Sequence, residues 1–200
     1  FQMSFGQSCN VVKGGDFTGG ATSDWALQTS TTGWYYEPTW APNEIYVDRD
    51  GISNQSLKQS LTGLISGPLT LSFKIRGQNY NRLSTVNSTA TLVIKVRGTT
   101  YLTVTNPGNN AVINTTDIVA SNLATFTTSG FPLTAGANPA APSTAINQGL
   151  ITVTIPWNPA TATTGDLEFV ATTSTGGGDD WFLDDISVIA TNPTSFNMTG

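Results

Sequence analysis

The chain contains no histidine, one cysteine, two methionines and few charges. Without histidine, a Ser-His-Asp triad, a histidine general base and every histidine-containing zinc set are excluded. Cys9 stands alone, so neither an intrachain disulfide nor a thiolate metal cluster can form. Charged residues make up 10% of the sequence, against roughly 25% in an ordinary soluble domain. The net charge is -5 and no basic stripe interrupts it, which argues against nucleic-acid binding. No apolar run approaches the roughly 18 residues that a membrane-spanning helix requires, so no membrane insertion is expected. Phosphate-binding loops are also missing: Gly176–Gly178 leads into a strand-like segment and no lysine follows it.

Polarity comes instead from Thr, Ser, Asn and Gly, a surface chemistry familiar in secreted, cell-surface and virion proteins. An extracellular location is therefore expected. The hydrophobic share of 38% over 200 residues fills one sandwich core and calls for no second domain. We expect a single domain over residues 1–190, with 191–200 as a C-terminal tail or linker. The chain starts at Phe1 with no initiator methionine, which reads as a processed product. Sequons at Asn54, Asn87, Asn114 and Asn197 are what chance gives in so Asn- and Thr-rich a chain.

Hydrophobicity alternates with a period of two, and no window carries a helical stripe. In Leu69–Arg76, the residues Leu69, Leu71, Phe73 and Ile75 would face a core while Thr70, Ser72 and Lys74 face outward. Ala90–Arg97 repeats the pattern, Gly98-Thr99 suits a tight turn, and Tyr101–Thr105 would return as the partner strand. Further strands are expected at Val11–Lys13, Trp25–Thr29, Ile45–Asp48, Ser56–Leu61, Leu123–Thr128, Leu150–Ile155, Asp166–Thr172 and Trp181–Ile189. Pro132–Gln148 reads as a surface loop. The pattern predicts an all-β fold with little or no helix: an antiparallel β-sandwich or jelly roll of about 8–10 strands. Lys74, Arg76, Lys95 and Arg97 alternate along two of these strands and read as solvated outer-face or edge-protecting charges.

Near the end, Asp179, Asp180, Asp184 and Asp185 crowd around Trp181, Phe182 and Leu183. Carboxylates this dense beside apolar strand positions need a cation or good donors. This ending, Trp181-Phe182-Leu183-Asp184-Asp185-Ile186-Ser187-Val188, is similar to the closing strand of galactose-binding-domain-like jelly rolls, a group that includes many carbohydrate-binding modules. The opening Asn10–Phe17 followed by Asp24-Trp25 resembles that group's start. Ser56–Leu61 followed by Leu69–Gly77 resembles its centre. The resemblance implies a jelly roll whose first and last strands meet, and architecture more firmly than activity.

It also implies a structural calcium site at that meeting point. Gly14 or Gly15 would lend a carbonyl, and Asp16 and Asp184 carboxylates, with Asp185 pointing the other way to solvent or a donor. Alternation would place Asp184 on the same side as Phe182, Ile186 and Val188. Thr18 stands where the group often carries glutamate, which removes one possible ligand. Asp48-Arg49-Asp50-Gly51 has the look of a calcium loop but lacks the distal glutamate and reads as a turn.

The second feature is the run Trp34-Tyr35-Tyr36-Glu37-Pro38-Thr39-Trp40. Consecutive strand residues face opposite ways, so these rings cannot all be core. Flat aromatic faces suit the C–H faces of pyranose rings, with Glu37, Asn43 and Glu44 placed to bond hydroxyls. Trp25 and Trp181 read as core fillers and Trp157 as a loop plug. The expected function is a noncatalytic, extracellular module that binds a glycan or cell-surface polysaccharide. The alternative is a structural or adhesive subunit of a virion or cell surface that self-assembles or belongs to a larger parent protein. Trp and Tyr anchor protein interfaces as well.

Overall fold

A computed structural model describes residues 9–20, 22–27, 34–36, 43–47, 54–64, 67–78, 90–107, 112–133, 148–156, 164–173 and 180–190. The tail 191–200, the 134–147 part of the expected loop, Asp48–Gly51 and Trp157 lie outside these residues. Thirteen strands are present among the described residues: β1 (Cys9–Asn10), β2 (Ala26–Leu27), β3 (Trp34–Tyr36), β4 (Ile45–Val47), β5 (Gln55–Thr62), β6 (Leu69–Gln78), β7 (Ala90–Val96), β8 (Thr99–Asn106), β9 (Ile118–Ala120), β10 (Thr125–Ser129), β11 (Gly149–Ile155), β12 (Thr164–Thr173) and β13 (Asp180–Ala190). The excess over the expected number comes from pieces of two or three residues. Helical turns are limited to Thr18–Gly20 and Thr115–Asp117, and no described helix is long and apolar enough to cross a membrane.

The strands form two antiparallel sheets packed as a jelly-roll sandwich. One runs β10-β11-β6-β13-β4-β3, with β1 joined to the far half of β13, and the other runs β2-β5-β12-β7-β8-β9. Alternation does the sorting. In β7 the buried positions Ala90, Leu92, Ile94 and Val96 interleave with half-exposed ones, and β5, β6 and β11 do the same. Their apolar faces meet between the sheets, where Phe73 and Phe169 touch edge to face at 5.3 Å. Trp25 and Trp181 belong to this core, as expected. The hairpin between β7 and β8 turns on Arg97-Gly98, with φ of 52° and 77°, one residue earlier than the sequence indicated.

Two expectations need correction. Lys74, Arg76 and Lys95 sit on the interior strands β6 and β7 and protect no sheet edge. Val11–Lys13 is not a strand; among the described residues the strand at the chain's start is β1, opposite Ala190 and Ile189.

Candidate functional site

The opening segment and the closing strand meet as the resemblance implied, through a partner switch along β13. The first half of β13 pairs with β4, through Trp181, Phe182 and Leu183, and its last two residues pair with β1. Between them the register against β6 shifts at Asp184–Ser187, with Asp185 at φ 49°. This bulge reverses the alternation. Leu183 and Ile186 both reach the core, whereas Phe182 packs outside it against Tyr46 at 4.5 Å. Asp184 therefore shares the outer face with Phe182, and not the inner face of Ile186 and Val188.

The chain's start fills the gap left by the bulge. The Ile186 N–H donates to the Gly15 carbonyl (2.9 Å) and the Val11 N–H to the Val188 carbonyl (2.9 Å). Asn10 Oδ1 accepts from both Val12 N–H (3.1 Å) and Val188 N–H (3.0 Å). A Cβ at Gly15 would overlap the Ile186 carbonyl oxygen, so only glycine permits this approach. On the other sheet, Gln59 clasps the same segment, accepting from Lys13 N–H (2.9 Å) and donating to the Lys13 (2.8 Å) and Asp24 (3.2 Å) carbonyls.

An open cleft of about 410 Å³ lies at this seam, lined by Asn10, Gly14, Gly15, Asp16, Asp185 and Ser187 among others. Of the four expected metal ligands, Gly14, Asp16 and Asp185 line it. Asp184 does not. Its carboxyl accepts from the Asp185 N–H (2.7 Å) and lies 3.9 Å from Lys74 Nζ. Burial chiefly raises its pKa to about 6, with the Asp185 and Glu44 charges adding to the rise.

The oxygen donors of the cleft suit a hard cation in kind, yet each already has a protein partner. The Gly14 carbonyl accepts from Trp25 Nε1–H (3.0 Å), Ser187 Oγ pairs with Ser72 Oγ (2.7 Å), and Asp185 pairs with Lys74 (2.5 Å). Asp16 Oδ1 accepts from Thr18 N–H (3.5 Å). Among the described residues no three His, Cys, Asp or Glu side chains converge as a metal cluster.

The aromatic run is divided by the fold. Trp34 is 1% exposed and its indole N–H donates to the Gln55 carbonyl (3.1 Å), so it fills the core and presents no ring face. Tyr35 lies opposite Tyr46 in the β3–β4 ladder. Tyr36 is half-buried against Gly20, whose Cβ would strike the Tyr36 ring. Glu37 and Trp40 lie outside the described residues. Asn43 is exposed, sits at φ 64°, and its Oδ1 accepts from the Gly19 N–H (3.4 Å). Tyr36 and Asn43 thus each touch the Thr18–Gly20 turn, and Asp16, two residues before it, lines the seam cleft.

Sequence reading missed a third cluster on the outer face. Arg76 donates from Nε to both Glu44 oxygens (2.8 and 3.1 Å), and its Nη2 bonds Oε2 as well. Its guanidinium lies 3.7 Å over the Phe182 ring, and Gln148 Nε2 donates to the same carboxylate (2.5 Å). Arg76 and Glu44 are 5% and 6% exposed. The sequence offered Glu44 as a hydroxyl-bonding candidate and Arg76 as an outward-facing charge; the fold instead pairs Glu44 with Arg76.

No protein-family model matches the sequence, and no curated protein matches it. Among solved structures, TmCBM61 in complex with β-1,4-galactotriose is similar at 15% identity and a TM-score of 0.45, over 90% of this chain and 98% of that one. The carbohydrate-binding module TmCBM27, described for specific mannan recognition, matches at 9% identity and a TM-score of 0.46, over 93% of this chain and 99% of that one. The Stig cyclase Fisc from Fischerella sp. TAU matches at 11% identity and a TM-score of 0.48, over 92% and 98%. The functional reading rests on the chain's own residues.

Proposed function

We propose that this chain is a noncatalytic glycan-binding module that works outside the cell. The observation that carries the reading is that the Tyr36 ring lies against Gly20 and Asn43 bonds Gly19, so both side chains sit on the Thr18–Gly20 turn. A half-buried ring held on a glycine backbone is a rigid platform for a sugar's C–H face. The Asn43 amide can donate and accept in one plane, as vicinal hydroxyls require. Asp16, exposed two residues before the turn, extends the surface with a carboxylate acceptor.

Several acids among the described residues lie beside cations, which favours a binding over a catalytic role. Glu44 is held by Arg76, Asp166 by Lys58 (2.7 Å), and Asp185 by Lys74. Glu168 lies 3.9 Å from Lys95. Hydrolysis of a glycosidic bond needs two carboxyls facing one scissile bond, one as acid and one as base or nucleophile.

Calcium belongs to this proposal as a structural ion. Asp16, Asp185 and the Gly14 carbonyl would hold it at the seam, and Lys74 would have to release Asp185. The ion would neutralise the carboxylates and tie the two chain ends together. Thermal unfolding with millimolar calcium and with chelator tests this: a higher midpoint in calcium supports the ion. Identical midpoints would remove the metal and leave the seam to its hydrogen bonds.

The glycan reading is tested by screening immobilised and soluble polysaccharides against the wild type, Tyr36→Ala and Asn43→Ala. Binding to at least one glycan, weakened at least tenfold in both variants with the fold intact, is the expected result. A chain that binds no glycan, or variants that bind as well as the wild type, would overturn it.

A further inference from the structure

Both sheets end on the same side of the molecule. β9 pairs only with β8 and β10 only with β11 among the described residues. Residues 121–124 carry the chain from one edge to the other, so β9, this turn and β10 make one lateral wall. Edges of this kind are normally guarded by charged residues, proline or bulges. Among the described residues, β9, the turn and β10 carry no charged residue and no proline. Between Arg97 and Asp166 the sequence has one charged residue, Asp117, and its carboxylate accepts from the Asn114 N–H (2.7 Å). The charges are concentrated mid-sheet instead: Lys58, Glu168 and Lys95 stand in register across β5, β12 and β7, and Lys74 and Arg76 lie on β6.

The wall also exposes apolar groups. Val119 on β9 is 56% exposed, and Leu123 in the turn is 90% exposed. Leu123 has φ 63° and Asn122 has φ 51°, a left-handed conformation that leucine rarely adopts. The turn is nonetheless fixed. Asn122 Nδ2 donates to the Thr100 carbonyl (2.8 Å), Ser121 N–H to Tyr101 (3.0 Å) and Ala124 N–H to Ser121 (3.1 Å). A leucine held outward by a rigid turn, beside an uncharged edge, is a preformed contact point.

We infer that this wall is a self-association surface whose occupant is a second copy of the chain, with β10 pairing antiparallel to β10 of its partner. Two molecules of net charge -5 repel through any surface that carries the excess acid. Through the β9–β10 wall they meet almost without charge, so the electrostatic cost is lowest there. The two-fold arrangement joins two seven-stranded sheets and lets Val119 and Leu123 pack on their counterparts. The inference is independent of glycan binding.

Sedimentation equilibrium of the full chain tests it. A dimer populated at roughly 100 µM is expected, as suits a small interface. Its dissociation constant should change little between about 0.05 and 0.5 M salt, because few charges are there to be screened. Thr127→Lys and Leu123→Asp each weaken it at least tenfold. Thr127 is exposed on β10, so that variant retains the test if Leu123→Asp fails to fold. Monomer throughout the concentration range, or dimer that persists in the folded variants, would overturn the inference. Monomeric Thr127→Lys keeps whatever glycan binding the wild type has, so failure of this inference and failure of the glycan reading are read separately.

Discussion

Asn10 carries an unusual share of the molecule's closure. One side-chain oxygen accepts from backbone groups of both the first and last segments. Asn10→Ala leaves both N–H groups short of an acceptor and is expected to cost about 1–3 kcal/mol in urea unfolding; a loss below a few tenths would show that water replaces it. Asp184 gives a pH signature. Its folded-state pKa of about 6 lies above the ordinary 3.8, so the protonated form favours the folded chain. That stability is fully present below the unfolded value and declines as pH rises through about 6. Asp184→Asn removes the decline, and its stability relative to wild type should grow with pH across this window. Parallel curves for the two proteins would contradict the assignment. The sequence displayed Asp184 as conspicuous but hid Asn10, because the group it bonds lies 178 residues away.

Among elements, β13 shows what periodicity can and cannot supply. Its strand character was legible, and so were β5, β6, β7 and β11, because each runs for seven residues or more with an alternating core face. The bulge at Asp184–Ser187 was not legible, since it follows from a change of pairing partner and not from any residue in β13. A phase carried through it reversed the placement of Asp184. Short strands such as β3 and β9 escaped for a related reason: three residues carry no period, and their neighbours hold them in place. The β4–β6–β13 outer face yields an expectation of its own. Glu44→Ala strands the Arg76 guanidinium and should cost roughly 3–5 kcal/mol, whereas Glu44→Leu with Arg76→Met should be near neutral or stabilising. Equal losses from the single and double replacements, measured by denaturant unfolding, would refute a buried pair that offsets its own desolvation.

For the molecule as a whole, fold and candidate site differ in how local their signals are. The sandwich was legible because every core strand repeats the same apolar rhythm and the glycines punctuate it. The site is assembled from turns, with Gly19, Gly20 and Asn43 all at positive φ, and turns leave little trace in a periodic reading. Alternation implied that the rings of the aromatic run could not all be core but not which one is buried; the fold sends Trp34 inward and sets Tyr36 on Gly20. A backbone-resolved NMR titration with an oligosaccharide from a bound polysaccharide tests the central claim most directly. Saturable shifts centred on Asp16–Gly20, Tyr36 and Asn43, with the β7–β8 and β12 amides unmoved, are what the account predicts. Shifts centred elsewhere on the sandwich, or none at saturating ligand, would contradict it.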